Sequence, residues 1–211
     1  MTSLSDPSTT VSARLREATA VAHEQAEHSP FIGDLLSGRL DVAAYARLTG
    51  QLYFVYRALE EVGDELAGDP VVDAVHDEIL RRVPRLRADL AALGVDADAV
   101  TPLPAVSRYV DAIEATRDDP ARYVAHHYTR YLGDLSGGQV VAHKMRQNYG
   151  VGGEALSFYD FDIDKLKRYK DAYRDSLDAL PIDDAAVERL LAEAVDAFGH
   201  NQALFGDLSG A

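Results

Sequence analysis

The chain has 211 residues, of which 47% are hydrophobic and 27% charged, a length and composition that suit one globular domain with a full core. Its formal charge of −14 excludes a general nucleic-acid or anionic-membrane surface, because both need positive potential. The absence of cysteine excludes disulfides and iron centres held by thiolate.

Residues 1–10 carry Ser, Thr, Asp and Pro without periodicity and read as a flexible tail. They lack the basic-then-apolar layout of a signal sequence, and no apolar run approaches the roughly 18 residues of a membrane span. A cytoplasmic protein is expected. A helix follows from about Val11 to Glu27, stopped by Ser29 and Pro30, which themselves open a short helix through about Ser37, closed by Gly38. Asp41 caps a helix from Val42 to about Leu66, with Tyr45, Leu48, Leu52, Val55, Leu59 and Val62 as its core face. Within it, Tyr53 fits plain packing and Tyr56 is placed to join a polar network. Another helix is expected from about Val71 to Leu93, then the turn-rich loop GVDADAVTPLP and a shorter helix from about Pro104 to Ala115.

A long helix then runs from about Pro120 to Tyr149. The segment after it, GVGGEALSFYDFD, is glycine-rich but lacks the lysine of a phosphate-binding loop. Helices from Asp164 to about Leu180 and from Asp183 to about Phe205 complete the chain. With no convincing strand alternation and no internal repeat, residues 11–211 read as a single all-α helical bundle. Between Lys144 and Arg174, seven basic residues stand against five acidic ones, a local reversal of the overall charge that suits an anionic ligand or an acidic partner.

The long helix is anomalous. Val124, Tyr128, Tyr131, Leu132, Leu135, Val140, Val141 and Met145 recur at helical intervals, yet Gly133, Gly137 and Gly138 interrupt them, each costing about 0.8–1 kcal/mol relative to alanine. Gly133 and Gly137 share a helix face, which leaves room either for a second helix or for a flat ligand against bare backbone. Asp134 adjoins the gap and Arg130 precedes it by one turn. The run YTRYLGDLSGGQ resembles the signature of the haem oxygenases, almost without a break over its twelve positions. LREAT leading to HEQAE resembles that family's proximal helix, the segment ending Tyr53 to Glu60 its L-Y-x-x-Y-x-A-L-E stretch, and LKRYKDAYR and AFGHNQALF its last two helices. The resemblance covers about Leu15 to Leu208 and is greatest to the compact bacterial members, which lack a membrane tail.

Arg16, Thr19, Ala20, His23 and Glu27 share one stripe of the first helix. Small neighbours leave space for a planar group beside His23, and Glu27, one turn on, can orient its ring. Arg16 lies about 10 Å back along the same face, a distance that suits a porphyrin with its iron at His23 and a propionate at Arg16. The resemblance implies that His23 is the axial iron ligand and that haem is sandwiched between this helix and a glycine-kinked distal helix at Gly133 and Gly137. It implies that Asp134 anchors a water network supported by Arg130 and Tyr56. It assigns the propionates to Arg16, Tyr128, Lys170 and Arg174, with Lys165 as a further candidate. Many members carry a basic residue where this chain has Ala20, which shifts that task toward Arg16 and the C-terminal cluster.

The implied activity is that of an oxidoreductase of the monooxygenase type. Haem b (iron protoporphyrin IX), both cofactor and substrate, is degraded with molecular oxygen to biliverdin, carbon monoxide and ferrous iron, with attack at the α-meso carbon. Electrons come from a ferredoxin or flavin reductase, and the protein is expected to be a monomer. The chemistry is consistent: imidazole donates less strongly than thiolate and pushes less toward cleavage of an O–O bond, and a water held by Asp134 can deliver a proton.

Three alternatives stand beside this reading: a haem carrier or sensor, a ferritin-like di-iron bundle, and a structural helical protein. The second wants two E-x-x-H motifs, of which the chain has none. Of His126 and His127, at least one is expected to point away from the core, and His28, His76, His143 and His200 show no ligand-like spacing.

Overall fold

The computed structural model describes residues 10–210. The tail expected over residues 1–10 lies outside them except for Thr10, whose hydroxyl accepts from the Ala13 amide and caps the first helix. The side chain of Glu27 also lies outside the described residues.

Side-chain oxygens of Thr10 and Asp41 cap the first and third helices, whereas Ser29, expected as a cap, makes no side-chain cap bond and the second helix opens on Pro30 alone. Helix α1 spans Val11–Glu27, α2 Pro30–Leu36 and α3 Val42–Glu65. Asp41 accepts from the Ala44 amide at the start of α3, supplying one of the acceptors that a helix N-terminus lacks. Every residue of its expected core face is buried: Tyr45, Leu48, Leu52, Val55, Leu59 and Val62.

The helix expected from Val71 to Leu93 is broken. In its place stand α4 (Pro70–Asp73), a single 3-10 turn (Glu78–Leu80) and α5 (Val83–Ala92). Apolar periodicity runs through the whole segment, but Pro84 in the first turn of α5 can neither donate to the preceding turn nor fit against it. Arg82, 1% exposed, completes the break. Its guanidinium donates to the carbonyls of Leu80 at 2.8 Å, Ile79 at 2.7 Å and Asp160 at 2.9 Å. Backbone acceptors of the interrupted segment are thereby satisfied by a side chain.

After α6 (Pro104–Glu114) the long helix arrives in three parts: α7 (Pro120–His127), a π-helical turn (Tyr128–Leu132) and α8 (Gly133–Tyr149). Gly150, at φ 65°, ends α8 in the left-handed conformation that glycine adopts without penalty. The irregular turn lies ahead of the glycines. Gly133 itself has ordinary helical angles, φ −61° and ψ −51°, so its use is its missing side chain and not its backbone freedom.

Two 3-10 turns, Gly153–Ala155 and Ser157–Tyr159, form the loop beneath α8. Buried Asp89 of α5 accepts from the amides of both Ser157 and Phe158 at 2.9 Å, and Gln139 of α8 donates to the Tyr159 carbonyl at 2.7 Å. Helices α9 (Leu166–Asp178) and α10 (Asp184–Ser209) close the bundle. α10 packs on α1, α2, α6 and α7, and α3 on α5 and α6. The described residues contain no strand.

Candidate active site

Helices α1, α8, α9 and α10 leave two adjoining cavities of about 560 Å³ and 410 Å³. His23, Thr129, Gly133 and Phe198 line both. His23 projects from α1 with its ring edge-on to Phe198 of α10, centroids 5.6 Å apart. Opposite stand Gly133 and Gly137. A Cβ built on either meets nothing within 4 Å, so no second helix packs on that face and the bare backbone borders the cleft. Gly138 differs: a Cβ there would come within 3.0 Å of the Tyr159 ring, so its missing side chain admits the loop beneath. Val140, expected to be buried by periodicity, is 57% exposed and lines the smaller cavity with Val141.

The polar groups divide by position. Arg16, Tyr128 and Arg174 line the larger cavity. Burial raises the phenol of Tyr128 above its ordinary pKa, opposed by the Thr19 hydroxyl and by the cationic Arg174 and Arg16 nearby, so it stays a neutral donor beside two guanidinium groups. Lys170 reaches the same rim indirectly, its Nζ 3.4 Å from the hydroxyl of Ser136, which lines the cavity. Lys165 does not join them; it is exposed at the start of α9.

Asp134 and Arg130 line the smaller cavity. Tyr56 stands behind them and donates its hydroxyl to Asp134 Oδ2. Arg130 donates from Nε to the Tyr56 oxygen at 3.2 Å and from Nη1 to Asn201 Oδ1 at 2.7 Å, with Nη2 3.6 Å from Asp134 Oδ1. Burial pushes the Asp134 carboxyl well above the usual carboxylate range, and burial also lowers the pKa of Arg130. A carboxyl group that holds its proton more tightly than usual, fixed by a phenol and a guanidinium and open to a cleft, is suited to proton delivery.

Tyr53, assigned to packing, is buried, yet its hydroxyl accepts from Arg87 at 2.6 Å. His126 and His127 are both buried, 0% and 2% exposed, against the expectation that one points outward. Both end α7, which is enclosed by α10, α4 and α3 so that every residue from Tyr123 to His127 is buried: His126 meets Glu193 at 2.8 Å and His127 meets the Tyr173 hydroxyl at 2.7 Å. Asn201 and Phe198 are site residues the sequence reading missed as individuals, although both fall within its AFGHNQALF run. Among the described residues no group of three or more His, Asp or Glu converges as a metal site.

Fold and site define an all-α protein with one imidazole facing a glycine-opened helix across a cleft of porphyrin scale, rimmed by cations. The Heme oxygenase family model matches residues 9–207. Heme oxygenase 1 of Synechocystis sp. is 36% identical over 207 residues, spanning 96% of this chain and 86% of that protein. Heme oxygenase 1 of Gallus gallus is 39% identical over 199 residues, spanning 90% of this chain and 67% of that one. The crystal structure of the Synechocystis heme oxygenase-1 in complex with heme superposes with a TM-score of 0.91 at 36% identity, over 96% of this chain and 93% of that one. Heme oxygenase from Leptospira interrogans gives 0.89 at 33% identity, over 93% and 98%. The chain belongs to the heme oxygenase family, oxidoreductases that degrade haem to biliverdin.

Proposed function

We propose that this chain, a single haem oxygenase domain over residues 11–211, binds haem b between α1 and α8, where His23 would hold its iron, and cleaves it with molecular oxygen. The observation that carries this reading is the convergence of His23, the open faces of Gly133 and Gly137, and the Tyr56–Asp134–Arg130 group on one cleft. The residues fit the group: a flat apolar space, one imidazole, and cations where two propionates would lie. Bound haem supplies both the iron at which oxygen is activated and the macrocycle that is broken.

The protein's part is positional and protic. Arg16, Tyr128 and Arg174 receive the propionates, with Lys170 beside them, and so orient the ring in its plane. Gly133 and Gly137 keep side chains out of the space facing His23, and Phe198 packs edge-on against the His23 ring. Asp134 holds a water and passes a proton through it, while Tyr56 and Arg130 fix the carboxyl. Electrons come from an external donor such as a ferredoxin or a flavin reductase. The protein works as a monomer in the cytoplasm; among the described residues no helix is long and apolar enough to cross a membrane.

The test is turnover. Purified protein given hemin, an electron donor and oxygen develops a bilin absorbance band; a stable haem spectrum under those conditions makes it a carrier and defeats the assignment. Asp134→Ala keeps haem binding but loses about 10²–10⁴-fold in biliverdin formation, the range general acid catalysis supplies. Normal turnover by that variant removes the proton-delivery role.

A further inference from the structure

Five linked side chains lead from Asp134 to the surface at α9, and the chemistry above uses only the first. Tyr56 stands edge-on to Tyr131 with centroids 5.5 Å apart, and Tyr131 lies 4.4 Å from the His127 ring. His127 stacks within 7° of parallel on Tyr173, its Nδ1 2.7 Å from the Tyr173 oxygen. Tyr169 is one turn back along α9, half-exposed, and donates its hydroxyl to Asp77 at 2.9 Å.

Packing alone does not ask for these residue types. Phenylalanine or leucine would fill the same space without burying polar atoms. His127 is the sharpest case, because burial, with a smaller effect from His76, depresses its pKa to about 3. It is therefore a neutral imidazole, with Nδ1 able to accept the Tyr173 proton when Nε2 carries its own.

We propose that Tyr56, Tyr131, His127, Tyr173 and Tyr169 form an escape route that carries stray oxidising equivalents out of the haem cleft to the surface, with the Tyr173–His127 pair as its proton-coupled station. The proposal rests on the haem-binding reading above. Its oxidant is a hydroperoxide left by an unproductive turnover. Reduction of hydrogen peroxide to two waters takes two electrons and two protons; bound haem yields one electron, the tyrosine chain the other, and solvent the protons. As Tyr173 loses its electron inward through Tyr131 and Tyr56, its O–H bond breaks and the proton passes to His127 Nδ1, giving a neutral phenoxyl and an imidazolium. The phenoxyl then takes an electron from Tyr169, whose proton passes to Asp77, and His127 returns its proton to Tyr173. Two one-electron reductants in solution, such as thiols, return the electrons lost by haem and by Tyr169, and Asp77 gives the proton back to the Tyr169 oxygen.

The experiment adds hydrogen peroxide to hemin-loaded protein whose histidine-ligated Soret spectrum has been verified. Samples are rapidly frozen for electron paramagnetic resonance, and a parallel set is treated with a nitroso spin trap and digested for peptide mass spectrometry. The expected results are a tyrosyl radical and a trap adduct on Tyr169, with the adduct lost in Tyr131→Phe and in Tyr173→Phe, each of which removes one oxygen. The same adduct at the same yield in both variants overturns the route, as does the absence of any tyrosyl radical in the loaded wild type. Failure to form the histidine-ligated complex is a separate result that overturns the haem-binding reading and the route with it.

Discussion

Asn201 shows how far the site extends beyond its signature. Arg130 can fix Asp134 and Tyr56 only while its own Nη1 has a partner, and Asn201 supplies it at 2.7 Å. Asn201→Ala leaves a buried guanidinium hydrogen unpaired, a cost of about 1–3 kcal/mol. The expected outcome is a lower thermal midpoint and slower biliverdin formation with an unaltered Soret band; Asn201→Asp, which keeps the acceptor, retains more activity than Asn201→Ala. Glycines make the complementary case. Gly137→Leu points into open cleft, so the apoprotein should unfold at nearly its wild-type temperature while hemin titration shows lost binding. Gly63→Ala places its Cβ against the Tyr123 hydroxyl, and overpacking of that kind costs about 1–3 kcal/mol; there the melting temperature should fall. From sequence, Gly133, Gly137 and Asp134 were legible because each violates what a plain helix would carry. Asn201 was not, since a polar residue on an amphipathic helix is unremarkable until its partner is known.

At the scale of elements, periodicity located α3, α6 and α10 because one apolar stripe faces one core in each. It failed over residues 71–93, where the stripe continues but the backbone does not, and only Pro84 and the buried Arg82 disclose the break. The π turn of Tyr128–Leu132 was equally hidden, since a widened turn needs no special residue. It follows directly on α7, whose last two residues, His126 and His127, are both interior. Glu193 of α10 answers His126, and Arg122 of α7 donates to it at 2.6 Å. Burial opposes ionisation of Glu193, yet hydrogen bonds from His126 and Arg122 outweigh it and hold the carboxyl at about 2, below its ordinary 4.5. A depressed carboxylate stabilises the fold fully above its unfolded pKa and loses that contribution as pH falls through the folded one. Urea unfolding followed from pH 6 to pH 2 should therefore show wild type losing stability faster than Glu193→Gln between about pH 4.5 and 2. Parallel losses in the two proteins would mean that other carboxylates carry the acid response.

The whole molecule poses a problem of charge that no single element resolves. Its formal charge is −14, and haem brings two carboxylates of the same sign, yet the cleft bears Arg16 and Arg174 with Lys170 adjoining. Which field governs capture depends on range. At 0.1 M salt the screening length is about 10 Å, so acidic groups on the far side of the bundle act weakly at the cleft while the rim acts at contact. Association of hemin should therefore slow as salt is raised from low ionic strength, the sign of local attraction. Arg16→Ala combined with Arg174→Ala should reverse that slope, because the remaining field is repulsive and salt then relieves it. Stopped-flow recording of Soret growth at a series of salt concentrations measures both slopes. Acceleration by salt in the wild type would show that the global charge dominates and that the propionates are not met by this rim.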